Sequence, residues 1–294
     1  MKKIVSLLIA LLLVVTALAA CANKEKTYTV AIAVDSAVSA KNKVTNTALV
    51  LVLDDAGKIV AARFDSSEAT PELNEDNTVK TMDSVATKVE KGDAYTGMPA
   101  GSWAKQAKAY EDYIVGKTPA EVAALDTSLI AGCTMESSVA TFQALVAKAA
   151  ASTQKVTFKT SEAITAGVAI STAVTANKVT ADFAGIVMAG GKVVASMIDS
   201  MEGKYTLAIG EDQKLTVTLS SYPGTKNEQG DAYNMVTYGG AIAEWYVQAQ
   251  TYANTTVGKT VAELADLAVE GVAGCTMGVD GYKAALVRAA GYVR

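Results

Sequence analysis

Histidine is absent from all 294 residues of the chain. That absence excludes histidine general bases, serine–histidine triads, histidine-ligated haem and almost every catalytic zinc site. Cysteine is nearly missing: Cys21, Cys133 and Cys275 are the 3 present. No disulfide framework exists, and at most one bridge can join the last two. Aromatic residues make up only 6% of the chain, and the charges nearly balance, 26 basic against 30 acidic, for a net charge of −4. There is therefore no basic footprint for nucleic acid. What fills the chain is apolar: 50% of residues are hydrophobic, with alanine, valine and threonine dominant. That composition belongs to a globular protein, not a disordered one.

The N-terminal segment indicates an address. Lys2 and Lys3 precede an apolar run, Ile4 to Ala20, broken only by Ser6 and Thr16. The run is short for a membrane span and leads directly into small residues and a cysteine, the layout of a cleaved secretory signal. Leu18-Ala19-Ala20-Cys21 resembles the bacterial lipobox, which implies a signal peptide over 1–20, lipid attachment at Cys21 and a polar tether over 21–26. Two or more acyl chains would hold the mature protein stably at the extracytoplasmic face of the cell membrane.

Beyond the tether the chain repeats itself. Ala37-Val-Ser-Ala-Lys-Asn-Lys-Val-Thr45 recurs as Ala173-Val-Thr-Ala-Asn-Lys-Val-Thr180. Gly92-Asp-Ala-Tyr95 recurs at Gly230–Tyr233, Val115-Gly-Lys-Thr118 at Val257–Thr260, and Ala131-Gly-Cys-Thr-Met135 at Ala273–Met277. The order is conserved between halves while spacings drift, so loops differ and blocks match. Two long copies imply tandem domains rather than a solenoid. We divide them as 27–152 and 153–294, and expect a fragment from Thr157 to fold alone.

Both copies read as strands, then helices: an α+β fold, each copy a small antiparallel sheet followed by helices. Val30–Val34, Thr47–Leu53 and Ile59–Phe64 are rich in β-formers, and Asp54-Asp-Ala-Gly57 predicts a hairpin turn. Lys214–Ser220 adds a strand in the second copy. Trp103, Ala107, Tyr110 and Ile114 fall at helical spacing, as do Trp245, Ala249 and Tyr252. Thr118-Pro-Ala-Glu121 predicts a capped helix start. The final helix of each copy places Phe142, Leu145, Val146 and Ala149, or Tyr282, Ala285, Leu286 and Ala289, on one face.

Few residues suggest chemistry. Gly116-Lys-Thr118 and Gly258-Lys-Thr260 look like the end of a phosphate-binding loop, but Glu111 and Ala253 stand where its first glycine belongs. A helix end followed by the next cap explains them better. Trp103-x-x-Gln106 and Trp245-x-x-Gln248 are shared, as core or as one wall of an aromatic ligand site. Asp65 and Asp199 bind a ligand or cap a turn. The best lead is the Ala-Gly-Cys-Thr-Met block, where Gly132 or Gly274 permits close backbone approach. Thr134 or Thr276 there offers a hydroxyl, either for a phosphate near a helix start or as a helix cap.

At this block the chain resembles the FMN-binding domain family, whose members carry FMN esterified through its phosphate to a threonine in Asp-Gly-x-Ser/Thr-Gly-Ala-Thr. Glu270-Gly-Val-Ala-Gly-Cys-Thr276 matches at both glycines and the threonine, with Glu270 for the aspartate; Ser128-Leu-Ile-Ala-Gly-Cys-Thr134 matches at Gly132 and Thr134. Ala131 and Ala273 replace the family's hydroxyl residue, and Cys133 and Cys275 its alanine. The resemblance implies covalent FMN at Thr134 and Thr276 beside Gly132 and Gly274, with Thr276 labelled more completely. It also implies a flavin transferase as partner, a membrane electron donor, and a role as electron carrier with no catalytic acid, base or metal of its own. The competing expectation is a non-redox lipoprotein that binds a solute or a surface partner.

Overall fold

A computed structural model describes residues 24–294 except 97, 127, 129, 177, 202–204, 212–214 and 220–223. The expected signal peptide and Cys21 lie outside these residues. In the first repeat β1 (Lys26–Val38), β2 (Val44–Asp54) and β3 (Ile59–Ala69) form consecutive antiparallel hairpins. Gly57, at φ 74°, turns the second hairpin, and the Asp54 carboxylate accepts the Ala56 and Lys58 N–H groups. Only glycine takes that left-handed position without strain. Helices follow: α1 (Lys88–Lys91), α2 (Trp103–Ile114), α3 (Pro119–Ala123) and α4 (Glu136–Ala151). The expected apolar faces of α2 and α4 are buried, and Thr118 and Glu121 form the expected reciprocal cap.

The second repeat repeats the plan. After β4 (Val156–Thr160) come β5 (Ile164–Val174), β6 (Val179–Ala189) and β7 (Lys192–Met201), antiparallel in that order. A separate hairpin, β8 (Tyr205–Ile209) with β9 (Leu215–Leu219), contains the strand expected near 214–220. Then α5 (Lys226–Gln229), α6 (Met235–Gly239), α7 (Trp245–Asn254) and α8 (Asp280–Gly291) complete the chain. The architecture is α+β, with two antiparallel sheet regions each followed by helices. No helix among the described residues is long and apolar enough to cross a membrane.

The Gly-Lys-Thr blocks have a structural use. Gly116 N–H donates to Ile59 O and Ile59 N–H to Lys117 O, both at 2.8 Å; Gly258, Val193 and Lys259 repeat this at the same distance. Each block thus pins a helix end to the start of the third strand, as β3 or β7.

The two sheets stack face to face. Val30, Ile32, Val34, Val50 and Val52 on one sheet share a single buried cluster with Val168, Ile170, Phe183, Val187 and Met197 on the other. Each sheet's opposite face carries its own helices, with Phe64, Trp103, Tyr110 and Phe142 in one outer core and Ile186, Trp245, Tyr252 and Leu286 in the other. The layers run helix, sheet, sheet, helix. β3 lies against β5 and β1 against β7, with β2 crossing β6, an arrangement with approximate two-fold symmetry. Ion pairs repeat it: Arg288 of α8 binds Glu90 of α1, and Lys148 of α4 binds Glu228 of α5, both at 2.6 Å. β4, which lies past the division at 152, joins the first sheet along β1. A fragment from Thr157 would therefore expose one face of the shared core, which alters the expectation that it folds alone.

Candidate functional site

The Ala-Gly-Cys-Thr-Met block forms the same small loop twice. A tight turn places Cys133 N–H on Ile130 O and Cys275 N–H on Val272 O. Gly132 and Gly274 are left-handed, at φ 77° and 79°. A side chain at Gly274 would also crowd Thr251, its Cβ lying 3.3 Å from the methyl carbon. Cys133 and Cys275 are both free; Cys133 is buried and Cys275 half-buried. Burial pushes the Cys133 thiol up, so it packs as a small apolar side chain.

Thr134 and Thr276 are not helix caps. Met135 and Val279 occupy the cap positions of α4 and α8, without side-chain bonds. Each threonine is instead held by the glutamine of the repeated tryptophan–glutamine pair. Gln106 Oε1 accepts the Thr134 N–H at 2.7 Å and its hydroxyl at 3.0 Å; Gln248 Oε1 accepts those of Thr276 at 2.7 and 3.1 Å. Both glutamines are buried, and each amide NH2 is tied back to the segment before its helix, to Gly101 O or Ala243 O. The threonines themselves are exposed. Each hydroxyl is thus oriented by a buried acceptor on an otherwise exposed side chain.

Beside Thr134 is a cavity of about 500 Å³, lined by Tyr95, Met98, Trp103, Lys88, Glu68 and the first residues of α4. An adjoining hollow of about 270 Å³ shares Lys88, Glu68 and Trp103 and continues over hydroxyls of β2 and β3. Lys88 is largely buried, 2.9 Å from Glu68 and over the rings of Tyr95 and Trp103. Burial would raise the Glu68 carboxyl, but Lys88, Lys43 and Tyr95 bring it down to about 2. Burial, with Glu68 adding to it, pushes the Tyr95 hydroxyl up to about 12. Trp103 is 2% exposed, and its indole N–H has no hydrogen-bond partner among the described residues. A buried donor without an acceptor is uncommon, and here it belongs to a cavity-lining side chain. Around Thr276 the hollow is smaller, about 330 Å³, and is lined by Glu270, Gly271, Cys275 and Asp280 but no aromatic ring.

Of the residues expected from sequence, the fold brings Gln106 to Thr134 and Gln248 to Thr276. Asp65 and Asp199 stand apart: each accepts two backbone N–H groups, Ser66 with Val89 and Ser200 with Asn227, and anchors α1 or α5. Burial pushes both carboxyls up to about 7. Lys88 and its counterpart Lys226, which sits over Tyr233 and Trp245, were not singled out from sequence. The signal was there: Thr87-Lys-Val-Glu90 recurs as Thr225-Lys-Asn-Glu228, each with both bonds of a capping box. Among the described residues no cluster suited to a metal ion occurs. Compared with protein-family models, curated proteins and solved structures, the chain matches none.

Proposed function

We propose that the chain is a lipid-anchored, extracytoplasmic electron carrier built from two homologous domains, with FMN held covalently at Thr134 and Thr276. The observation that carries this reading is the duplicated clasp: an exposed threonine hydroxyl, in a loop closed by a left-handed glycine, oriented by a buried glutamine. The lipid anchor rests on the Cys21 sequence alone.

The residues present suit an esterified flavin. The uncapped first turn of α4 presents amides that favour a phosphate. Lys88 lines the same cavity, where its charge is balanced by Glu68 at 2.9 Å, so the amides are the anion-favouring groups. Trp103, Tyr95 and Met98 supply apolar walls, and a volume of about 500 Å³ lies within the ~300–1,000 Å³ typical of small-molecule sites. An FMN held there supplies one- or two-electron transfer at a potential tuned by its surroundings. Ester formation requires the threonine hydroxyl proton to leave. Gln106 orients that hydroxyl but cannot take the proton, because an amide oxygen is not a base at neutral pH. The base and the flavin donor therefore belong to the transferase.

Cavity and motif rank the sites differently: the first repeat has the larger, ring-lined cavity, the second the closer motif. Peptide mass spectrometry on protein from its native envelope, with Thr134→Ala and Thr276→Ala, reads both. Flavin adducts on the two peptides, each lost with its own substitution, are the expected result. The ratio of adducts tells whether motif or cavity governs labelling. Unmodified threonines, in cells whose other FMN-binding domains are labelled, would overturn the proposal and leave the non-redox binding lipoprotein.

A further inference from the structure

The repeats differ in length between the Gly-Asp-Ala-Tyr block and the tryptophan. Trp103 follows Tyr95 by eight residues, whereas Trp245 follows Tyr233 by twelve. The longer segment builds α6, bracketed by left-handed Asn234 and Gly240. The Glu244 carboxylate braces it, accepting the Met235 N–H at 2.8 Å and the Val236 N–H at 3.2 Å. Met235 packs against the outer core, but the other large apolar side chains of the segment do not. Tyr238 is 86% exposed and Ile242 64% exposed, and Val236 and Val247 are exposed as well. Single apolar residues on a surface are ordinary; several on one braced loop and the helix turn beside it mark a contact site.

The first repeat serves as an internal control. There Lys105 occupies the position of Val247 and pairs with Asp93 at 2.8 Å, and Lys108 pairs with Asp112. In the second repeat Val247 and Gln250 replace both lysines, and Asp231, the counterpart of Asp93, accepts the Tyr246 hydroxyl instead. From Gly230 to Asn254, the segment that holds α6 and α7, the charged residues are Asp231 and Glu244, with no lysine or arginine. The stretch equivalent to it, Gly92 to Asp112, has three acidic residues and two basic ones, Lys105 and Lys108.

We infer that the α6 end of the second repeat is a docking surface for a protein partner whose own face is basic around an apolar centre. Opposite charge at the rim would speed encounter and set orientation, while Tyr238 and Ile242 supply the buried contact. Anionic lipid would be repelled by the same carboxylates. A second copy of this chain would bring like charge against like in a symmetric contact. Nothing in this requires flavin, so its test is independent of the preceding proposal.

The probe is cytochrome c, lysine-rich around an exposed apolar haem edge, titrated into the full mature chain prepared without flavin. Saturable binding is expected at low salt, weakening about tenfold near physiological ionic strength as the rim charges are screened. Tyr238→Ser with Ile242→Ser weakens it about tenfold, the loss typical of removing interface anchors. Asp231→Asn flattens the salt dependence, and Val115→Ser, an exposed site in the first repeat, changes nothing. Absence of binding would overturn the inference, as would binding indifferent to Tyr238 and Ile242. So would self-association, or binding to phosphatidylcholine vesicles, that the double substitution abolishes.

Discussion

Asp65 and Asp199 are the residues whose surroundings most alter their chemistry. Each is buried, with its carboxyl raised to about 7 by desolvation, whereas an aspartate in the unfolded chain titrates near about pH 4. Between these values the folded state holds a proton that the unfolded state has lost. Stability therefore falls as pH rises through that window, and the contribution is fully present only below it. Asparagine keeps an oxygen to accept the same backbone N–H groups but does not titrate. We predict that Asp65→Asn and Asp199→Asn flatten the fall in urea midpoint between about pH 4 and about pH 7, and that the double substitution flattens it further. An unchanged pH profile would show both carboxyls ionised across the range. Sequence alone could not choose between ligand and cap for these aspartates, because the amides that decide it come from α1 and α5, over twenty residues away.

At the scale of elements, the crossing of β2 over β6 is the tightest point of the shared core. Val50 and Gly185 occupy matching positions in the two repeats and face one another, and a Cβ at Gly185 would collide with Val50 Cγ2. Two valines would not fit there; the glycine breaks the symmetry so that the sheets can close. Gly185→Ala should destabilise the chain by about 1–3 kcal/mol, the usual cost of overpacking. Val50→Ala in the same chain should recover part of that loss. Full additivity in a double-mutant denaturation cycle would refute direct contact. A sign of this layer was present in sequence: Ala48 to Leu53 is apolar without alternation, the pattern of a strand covered on both faces. The helices explained one covering layer, and the second went unassigned because either half of the chain could supply it.

For the whole molecule, one consequence is how the halves depend on each other. The second repeat alone would uncover Val168, Ile170, Phe183 and Met197, and would leave β4 without its partner β1. We predict that a fragment from Thr157 to Arg294 binds a hydrophobic dye or self-associates, and that adding residues 24–156 restores a compact complex. A monomeric fragment with cooperative unfolding and no dye binding would show that the shared face is dispensable. Glu111 ties the halves as well: buried beside Arg63, it also accepts three bonds from the Arg294 side chain. Its counterpart, Ala253, makes no such pair, so this cluster exists once per chain.

Composition and pattern by themselves determined the exclusion of histidine chemistry, the duplication, the order of strands and helices, the buried helix faces and the threonine loops. All depend on neighbours within a few turns of chain, where periodicity and capping act directly. The stacking of sheets, the clasp of Gln106 on Thr134, the Lys88 cavity and the exposed α6 loop were decided only by tertiary structure. Each depends on side chains separated in sequence, and the free energy that selects them is burial of surface supplied by distant segments, which no local pattern encodes.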